Sequence, residues 1–345
     1  MYKKSISLVV DMYGCPNRCK HCWLGNMPNR KMEENADQYL VDYFKPYFDS
    51  VTYYSWLREP DYCPEYAKRW ITDNKISINK KPMRFELASF WRIVRDSNYI
   101  IFLKEVNVKV VQLTFFGLEK LTDKYIGRSG AFQELLKATK ILIENKISPR
   151  WQAFINEETR NEIVDLLELS KELKIHEKCL EFGGGFKFFV HSGSCDGENA
   201  KLYNIRINKE NIPIKLIPYY LDYDEVLTEQ ECCDILKSDS SHFVYHNDGD
   251  IVLNISNTYD IYFNFTQMSE EWKIGNLKTE DQVEIIRRII KEDIPALNLA
   301  RNITVEELVQ KYGDKNSHKA FHLSDYKSYL LNCCVKDILG KSNQT

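Results

Sequence analysis

The order of sequence elements predicts an α/β fold of parallel strands and helices, followed by a smaller α+β unit. Two observations carry this. From residue 6 to about residue 190, short apolar and β-branched runs alternate with longer stretches whose apolar residues recur at helical spacing. Such alternation is the pattern of a right-handed parallel sheet. Near 212–218 the rhythm stops, and Pro213 and Pro218 bracket a short segment. The expected division is therefore 1–215 and 216–345. At 345 residues the chain is long enough to bury a large core and carry an appended unit.

The first strand is expected at 6–10, where apolar and β-branched residues end at a polar turn. A loop with three cysteines follows, then a helix over 35–48 with Tyr39, Leu40, Tyr43 and Phe44 along one side. The second strand, 51–56, runs into Leu57, Arg58, Glu59 and Pro60. A third is expected over 83–94, where Phe85, Leu87 and Val94 alternate with charged residues. The near-continuous apolar run 106–116 reads as a fourth strand covered on both faces.

A helix over 132–145 and a fifth strand over 150–155 come next. Thr159 and Glu162 form a capping-box pattern for a helix with Ile163, Leu166, Leu167 and Leu173 inward. The sixth strand is expected over 180–190; its Gly183, Gly184 and Gly185 let another group approach the backbone closely. The polar loop after it offers His191, Ser192 and Asp196 as substrate contacts, because loops at strand C-termini carry function in such folds. Beyond the boundary we expect short strands over 251–265, a turn at 247–250, helices with capping boxes at Thr279 and Thr304, and a disordered tail from Gly340.

Composition narrows the function. A formal net charge of −3 with 28% charged residues and only short basic runs gives no polyanion-binding surface, so no nucleic acid partner is expected. Lys3 and Lys4 precede an apolar run broken by Asp11, too short for a signal-peptide core or a membrane span. We therefore expect a cytoplasmic protein with no membrane partner. Its ten cysteines are then read as reduced thiols and metal ligands.

The stretch with most chemistry is Cys15, Pro16, Asn17, Arg18, Cys19, Lys20, His21, Cys22. Pro16 and Asn17 keep the loop from continuing as helix or strand, so three thiols can wrap a compact metal centre. Structural zinc sites usually bring two separate ligand pairs, and no second knuckle of that spacing follows. A [4Fe–4S] cluster takes one thiolate per iron; three local cysteines would leave one iron open to a small ligand.

This Cys-x3-Cys-x2-Cys spacing after a first strand resembles the signature of the radical S-adenosylmethionine (SAM) superfamily, and the Cys-Lys-His-Cys string resembles its peptide- and small-molecule-modifying members. His21 stands where that family commonly has an aromatic residue. The resemblance implies a partial (β/α)6 TIM-like barrel. Its cofactors would be a [4Fe–4S] cluster held by Cys15, Cys19 and Cys22, and SAM bound at the open iron. It also implies reductive cleavage of SAM to a 5′-deoxyadenosyl radical that abstracts hydrogen from a small-molecule or peptide substrate, with electrons from a flavodoxin- or ferredoxin-type donor.

By the same resemblance, Glu59 takes the place of the acidic residue of a Gly-Gly-Glu-Pro motif that binds the SAM amino group, with Leu57 and Arg58 where the family has glycines. Arg58 itself is free on this reading to reach a substrate carboxylate. The segment from Gly117 to Phe132 resembles one in SPASM-type maturases, with Thr122 in place of a histidine. It implies that Arg128 and Gln112 or Thr114 help hold SAM, an Arg suiting a carboxylate through paired donors. Gln152, Asn156 or Asn161 would reach its ribose or adenine. Trp272 to Leu277 resembles the SPASM region, but the auxiliary-cluster cysteines are missing: Cys232–Cys233 and Cys333–Cys334 are adjacent pairs, and no second cluster is expected. Two other classes compete: a non-catalytic iron–sulfur protein for electron transfer or redox sensing, and a zinc-stabilised binding module.

Overall fold

The structure is a computed structural model and describes residues 5–22, 24, 27–55, 57–58, 63–76, 89–195, 197–243, 251–264 and 268–340. In chain order the elements are β1 (Ser5–Val10), α1 (Ala36–Phe44), β2 (Ser50–Tyr54), α2 (Tyr66–Ile76), α3 (Phe90–Arg95), α4 (Ser97–Glu105), β3 (Val110–Phe115), α5 (Glu119–Ile126), α6 (Ala131–Glu144), β4 (Ser148–Phe154), α7 (Arg160–Glu172), α8 (Ile175–Leu180) and β5 (Lys187–His191). After a stretch of short 3-10 turns come β6 (Leu227–Thr228), α9 (Glu229–Leu236), β7 (Ile251–Ile255), β8 (Asp260–Phe263), β9 (Gly275–Asn276), α10 (Gln282–Lys291), α11 (Pro295–Asn302), α12 (Val305–Tyr312), β10 (Ala320–Phe321) and α13 (Leu323–Ile338).

Among the described residues the parallel strands form two sheets that do not close: β3-β4-β5, and β2-β1-β7 extended by antiparallel β8 and β9. This is the expected partial barrel. Register shows which face is which. On β3 and β4, Val111, Leu113, Phe115, Trp151 and Ala153 are fully buried. Phe115 and Trp151 point at α6, through Phe132 at 6.1 Å and a 3.0 Å hydrogen bond from Trp151 Nε1 to Thr139 Oγ1. Because successive side chains alternate, Gln112, Thr114, Arg150 and Gln152 line the opposite, concave face, where they are only half-buried. The run 106–116 is thus covered on one face, not both. Its strand begins only at Val110, since Val106 closes α4 and Asn107 turns with φ of 61°.

Several local expectations change. Residues 83–88 lie outside the described residues, as does the 247–250 turn and the tail beyond Gly340. The remainder of the expected 83–94 strand is helix α3, because the Ser89 side chain accepts the Arg92 N–H at 3.2 Å and Phe90 and Ile93 bury one helical face. Within 180–190, α8 runs to Leu180, the Gly184 N–H caps it on Cys179 O at 2.9 Å, and the strand begins at Lys187. Thr159 and Glu162 make no capping box. The Thr159 hydroxyl turns back to Phe154 O, while the Glu162 carboxylate accepts the Leu118 N–H at 2.9 Å and closes the turn after β3. Asp281, not Thr279, caps α10. Thr304 and Glu307 form the expected box, and Thr228 and Glu231 form an unexpected one.

The sheet crosses the 215/216 line drawn from sequence: β7 pairs in parallel with β1 from Ile6↔Ile251 to Val10↔Ile255. Among the described residues no helix is long and apolar enough to cross a membrane.

Candidate cofactor site at the mouth of the parallel strands

The cysteine loop leaves the C-terminal end of β1 and is pinned on both sides. On one, the N–H groups of Arg18 and Lys20 donate to Ile126 O and Tyr125 O, at 2.9 and 2.8 Å, where α5 ends. On the other, the Cys15 N–H donates to Asn29 Oδ1 at 3.0 Å and Met32 N–H to Met12 O at 3.1 Å. Inside it a tight turn brings the Cys22 N–H to Cys19 O at 3.0 Å. Gly127, with φ of +74°, ends α5 so close to the loop that a Cβ there would lie 2.9 Å from Arg18 O. Only glycine gives both the left-handed turn and that approach.

All three thiols are half-exposed, whereas Cys63, Cys179, Cys195, Cys232, Cys233 and Cys334 are buried. Burial pushes the Cys179 thiol up to about 11 and Cys232 to about 12, so those two stay protonated at neutral pH. Among the described residues no group of three or more His, Cys, Asp or Glu side chains could hold a metal ion. Cluster thiolates each take a separate iron corner and need not converge on one point, so the donor set of Cys15, Cys19 and Cys22 fits a cubane cluster better than zinc.

His21 carries the loop to the mouth of the other sheet. Its ring packs between Phe116 and Phe154, at 4.8 and 4.7 Å, just beyond β3 and at the end of β4. Its Nδ1 is buried without a hydrogen bond among the described residues. Burial, reinforced by His191, holds its pKa down at about 3. His191, the last residue of β5, lies 4.3 Å from the Phe154 ring; burial, Arg206 and His322 lower it to about 4. Both imidazoles are neutral at physiological pH.

Of the residues expected to hold SAM, Gln112 and Thr114 stand together on the concave face, sharing Gln152. Gln112 Nε2 and Thr114 Oγ1 donate to Gln152 Oε1, the latter at 3.2 Å; Arg150 donates to Gln112 Oε1 at 2.7 Å, and Gln152 reaches His191. Arg128 sits beside the cysteine loop: its Nε donates to Asn17 Oδ1 at 3.0 Å, and Nη2 makes an ion pair with Glu134 at 2.7 Å. Asn156 is used otherwise. Its Oδ1 accepts the N–H groups of Glu158 and Thr159 and its Nδ2 donates to Tyr125 Oη, so it builds the turn into α7. Asn161 is exposed on α7. Glu59 and Asp196 lie outside the described residues. Ser192 Oγ accepts from Tyr220 Oη at 3.0 Å, and Arg206 ties down the carbonyls of Ser192 and Gly193.

Arg58 does not face a substrate. Its fork closes on Asp11, Nε to Oδ1 at 2.8 Å and Nη2 to Oδ2 at 2.6 Å, and Asp11 is 1% exposed. Sequence reasoning passed over Asp11, Asn29 and Asn257 around it. A charge directly after the apolar run of β1 was the available signal, since a carboxylate buried there needs a partner. Equally unforeseen is Asp73 of α2, whose carboxylate accepts the Ser55 N–H and hydroxyl at 2.9 and 2.7 Å and holds the end of β2.

A half-open parallel barrel with a thiol loop at its mouth is the build of a cofactor enzyme. The radical SAM superfamily matches residues 9–170, from within β1 through the cysteine loop and into α7. That stretch is a radical SAM domain, the domain of enzymes whose cofactors are a [4Fe–4S] cluster and SAM. Among solved structures, native anSMEcpe with bound AdoMet and Cp18Cys peptide is similar at 14% identity and a TM-score of 0.53, covering 99% of this chain and 100% of that one. Native anSMEcpe with bound AdoMet gives 13% and 0.52, and its form with the Kp18Cys peptide 12% and 0.50, with the same coverage. At such identity the likeness is one of fold. No curated protein sequence matches the chain.

Proposed function

We propose that Cys15, Cys19 and Cys22 are the cluster ligands and that the enzyme abstracts a hydrogen atom from a peptide, or a small molecule of like polarity, held against the concave face. When bound, the reduced cluster supplies the electron that splits SAM into methionine and a 5′-deoxyadenosyl radical, which takes the hydrogen atom. The observation that carries the reading is the convergence of the half-exposed cysteine loop, through His21, on the C-terminal ends of β3, β4 and β5. There the half-buried Gln112, Thr114 and Gln152 offer amide and hydroxyl groups that match peptide bonds. The peptide-bound state of the similar fold in anSMEcpe supports a peptide substrate.

In this reading Arg128 steadies the loop through Asn17 and keeps its remaining donor capacity for the SAM carboxylate, and Glu59 takes the SAM amino group. Gln112 and Thr114 face the nucleoside or the substrate. The neutral His21 and the phenyl rings about it exclude water from the mouth. A flavodoxin- or ferredoxin-type protein delivers the electron. Anaerobic reconstitution with iron and sulfide, followed by SAM and dithionite, tests this: 5′-deoxyadenosine is expected from the native chain and not from the triple cysteine-to-alanine variant. A bound cluster that never yields it would leave an electron-transfer protein, and a colourless metal site would leave a zinc module.

A further inference from the structure

All five N–H donors of Arg58 are spent within one network. Besides the two on Asp11, Nη1 donates to Met27 O at 3.2 Å and to Asn29 Oδ1 at 3.1 Å, and Nη2 also donates to Pro28 O at 2.8 Å. A guanidinium has five such hydrogens, so this one is saturated. Its side chain is 9% exposed and that of Asp11 1%, which puts the pair out of reach of solvent.

The network joins four chain segments. Asp11 is the residue after β1, whose N–H still continues the ladder to Ile255 O at 2.8 Å. Arg58 follows β2, held beside it by the Leu57 N–H on Val10 O at 3.0 Å. Asn257 follows β7, and its Nδ2 donates to Asp11 Oδ2 at 3.2 Å and Pro28 O at 2.6 Å. The fourth segment, 27–29, is the return of the cysteine loop. Asn29 Oδ1, which accepts from Arg58, also accepts the backbone N–H of Cys15. Gly14, at φ of +89°, leaves room for this, because a Cβ there would lie 2.6 Å from Asn29 Oδ1.

We infer that Arg58 is a positioning residue for the cluster: through Asp11 and Asn29 it fixes the Cys15 end of the ligand loop relative to the ends of β1, β2 and β7. This rests on the cluster reading of the three cysteines. The partners explain why a bulky charged residue stands in this turn. A lysine has three donors on a point charge and cannot bridge a carboxylate, two carbonyls and an amide oxygen at these angles. The consequence for chemistry follows from the site. Groups that orient ligands typically change metal affinity or activity about 10–100-fold when lost, and here the oriented residue would be one of the three thiolates that hold the cluster.

The test compares the native chain with Arg58→Lys and Asn29→Ala, each reconstituted anaerobically, by electron paramagnetic resonance of the reduced cluster with and without SAM, iron content and SAM binding. Expected in both variants are a changed signal before SAM is added and SAM binding weaker by about tenfold. Asn29→Ala should still unfold in one cooperative transition, since it removes two hydrogen bonds, from Arg58 Nη1 and from the Cys15 N–H, and leaves the Arg58–Asp11 pair in place. If Arg58→Lys fails to fold, Asn29→Ala alone decides. Native spectra and native SAM affinity in the variants that fold would overturn the inference. Failure of the native chain itself to bind iron would instead overturn the cluster reading, so the two failures are distinguishable.

Discussion

Replacing Gly127 by alanine should damage the cysteine loop without touching a cysteine. Gly127 sits at φ of +74°, where an L-residue costs roughly 1–2 kcal/mol. The added Cβ would also meet Arg18 O at 2.9 Å and Arg18 Cβ at 3.2 Å. Backbone must move to admit it, and forced overpacking of this kind costs about 1–3 kcal/mol. The total is about 2–5 kcal/mol, with the displacement directed at the residue before Cys19. Gly130 provides the control: its φ is +77°, but nothing lies within 4 Å of the position of its Cβ. Alanine there should cost only the conformational part, about 1–2 kcal/mol. Urea unfolding gives the stabilities, and iron and sulfide content after anaerobic reconstitution gives the effect on the site. Gly127→Ala should lose at least half of its iron relative to Gly130→Ala under conditions where both are folded. Equal stability and equal iron in the two variants would refute the claim that α5 braces the loop.

Other outcomes follow from buried charges and helix ends. Burial raises the Asp73 carboxyl to about 7 against the hydrogen bonds from Ser55 that lower it. A raised carboxyl stabilises the folded state in its protonated form, so its contribution is full below about pH 4 and lost as pH rises through 7, at most about 4 kcal/mol. Asp73→Asn should therefore gain on the native chain between pH 5 and 8 in urea titrations, and a pH-independent difference would count against it. The depressed His21 and His191 act in the opposite sense: their contribution is present above pH 6.5 and lost as pH falls towards 4 and 3, because the unfolded chain takes up protons that the fold refuses. His21→Phe should flatten the acid limb of stability by about 1.4 kcal/mol per pH unit, one proton's worth. Thr228→Ala should cost about 1 kcal/mol by opening the box at α9, whereas Thr279→Ala should stay within about 0.5 kcal/mol, since Asp281 caps α10.

Legibility in the sequence followed the range of the interaction. Periodicity located α1, α6, β1, β2 and β4 to within a few residues, because each is dictated by local spacing of apolar side chains. It failed over 90–95, where Ser89 caps a helix inside what reads as a strand, and at Thr159, where the hydroxyl finds Phe154 O before it can cap. Cys15, Cys19 and Cys22 stood out by spacing alone. Asn156 shows a turn role that no spacing announces, since an amide at a strand end serves a turn as readily as a ligand.

What the amino-acid order determined by itself is the chemistry available: three thiols within eight residues after a β-branched run, and alternating elements that make a parallel fold. Tertiary structure alone decided how that chemistry is held. It placed β7 beside β1, more than 240 residues away, closed Arg58 on Asp11, and wedged His21 between Phe116 and Phe154. The physical reason is that a buried charge or an unpaired sheet edge must find its partner wherever the chain brings one, and no local pattern records that choice.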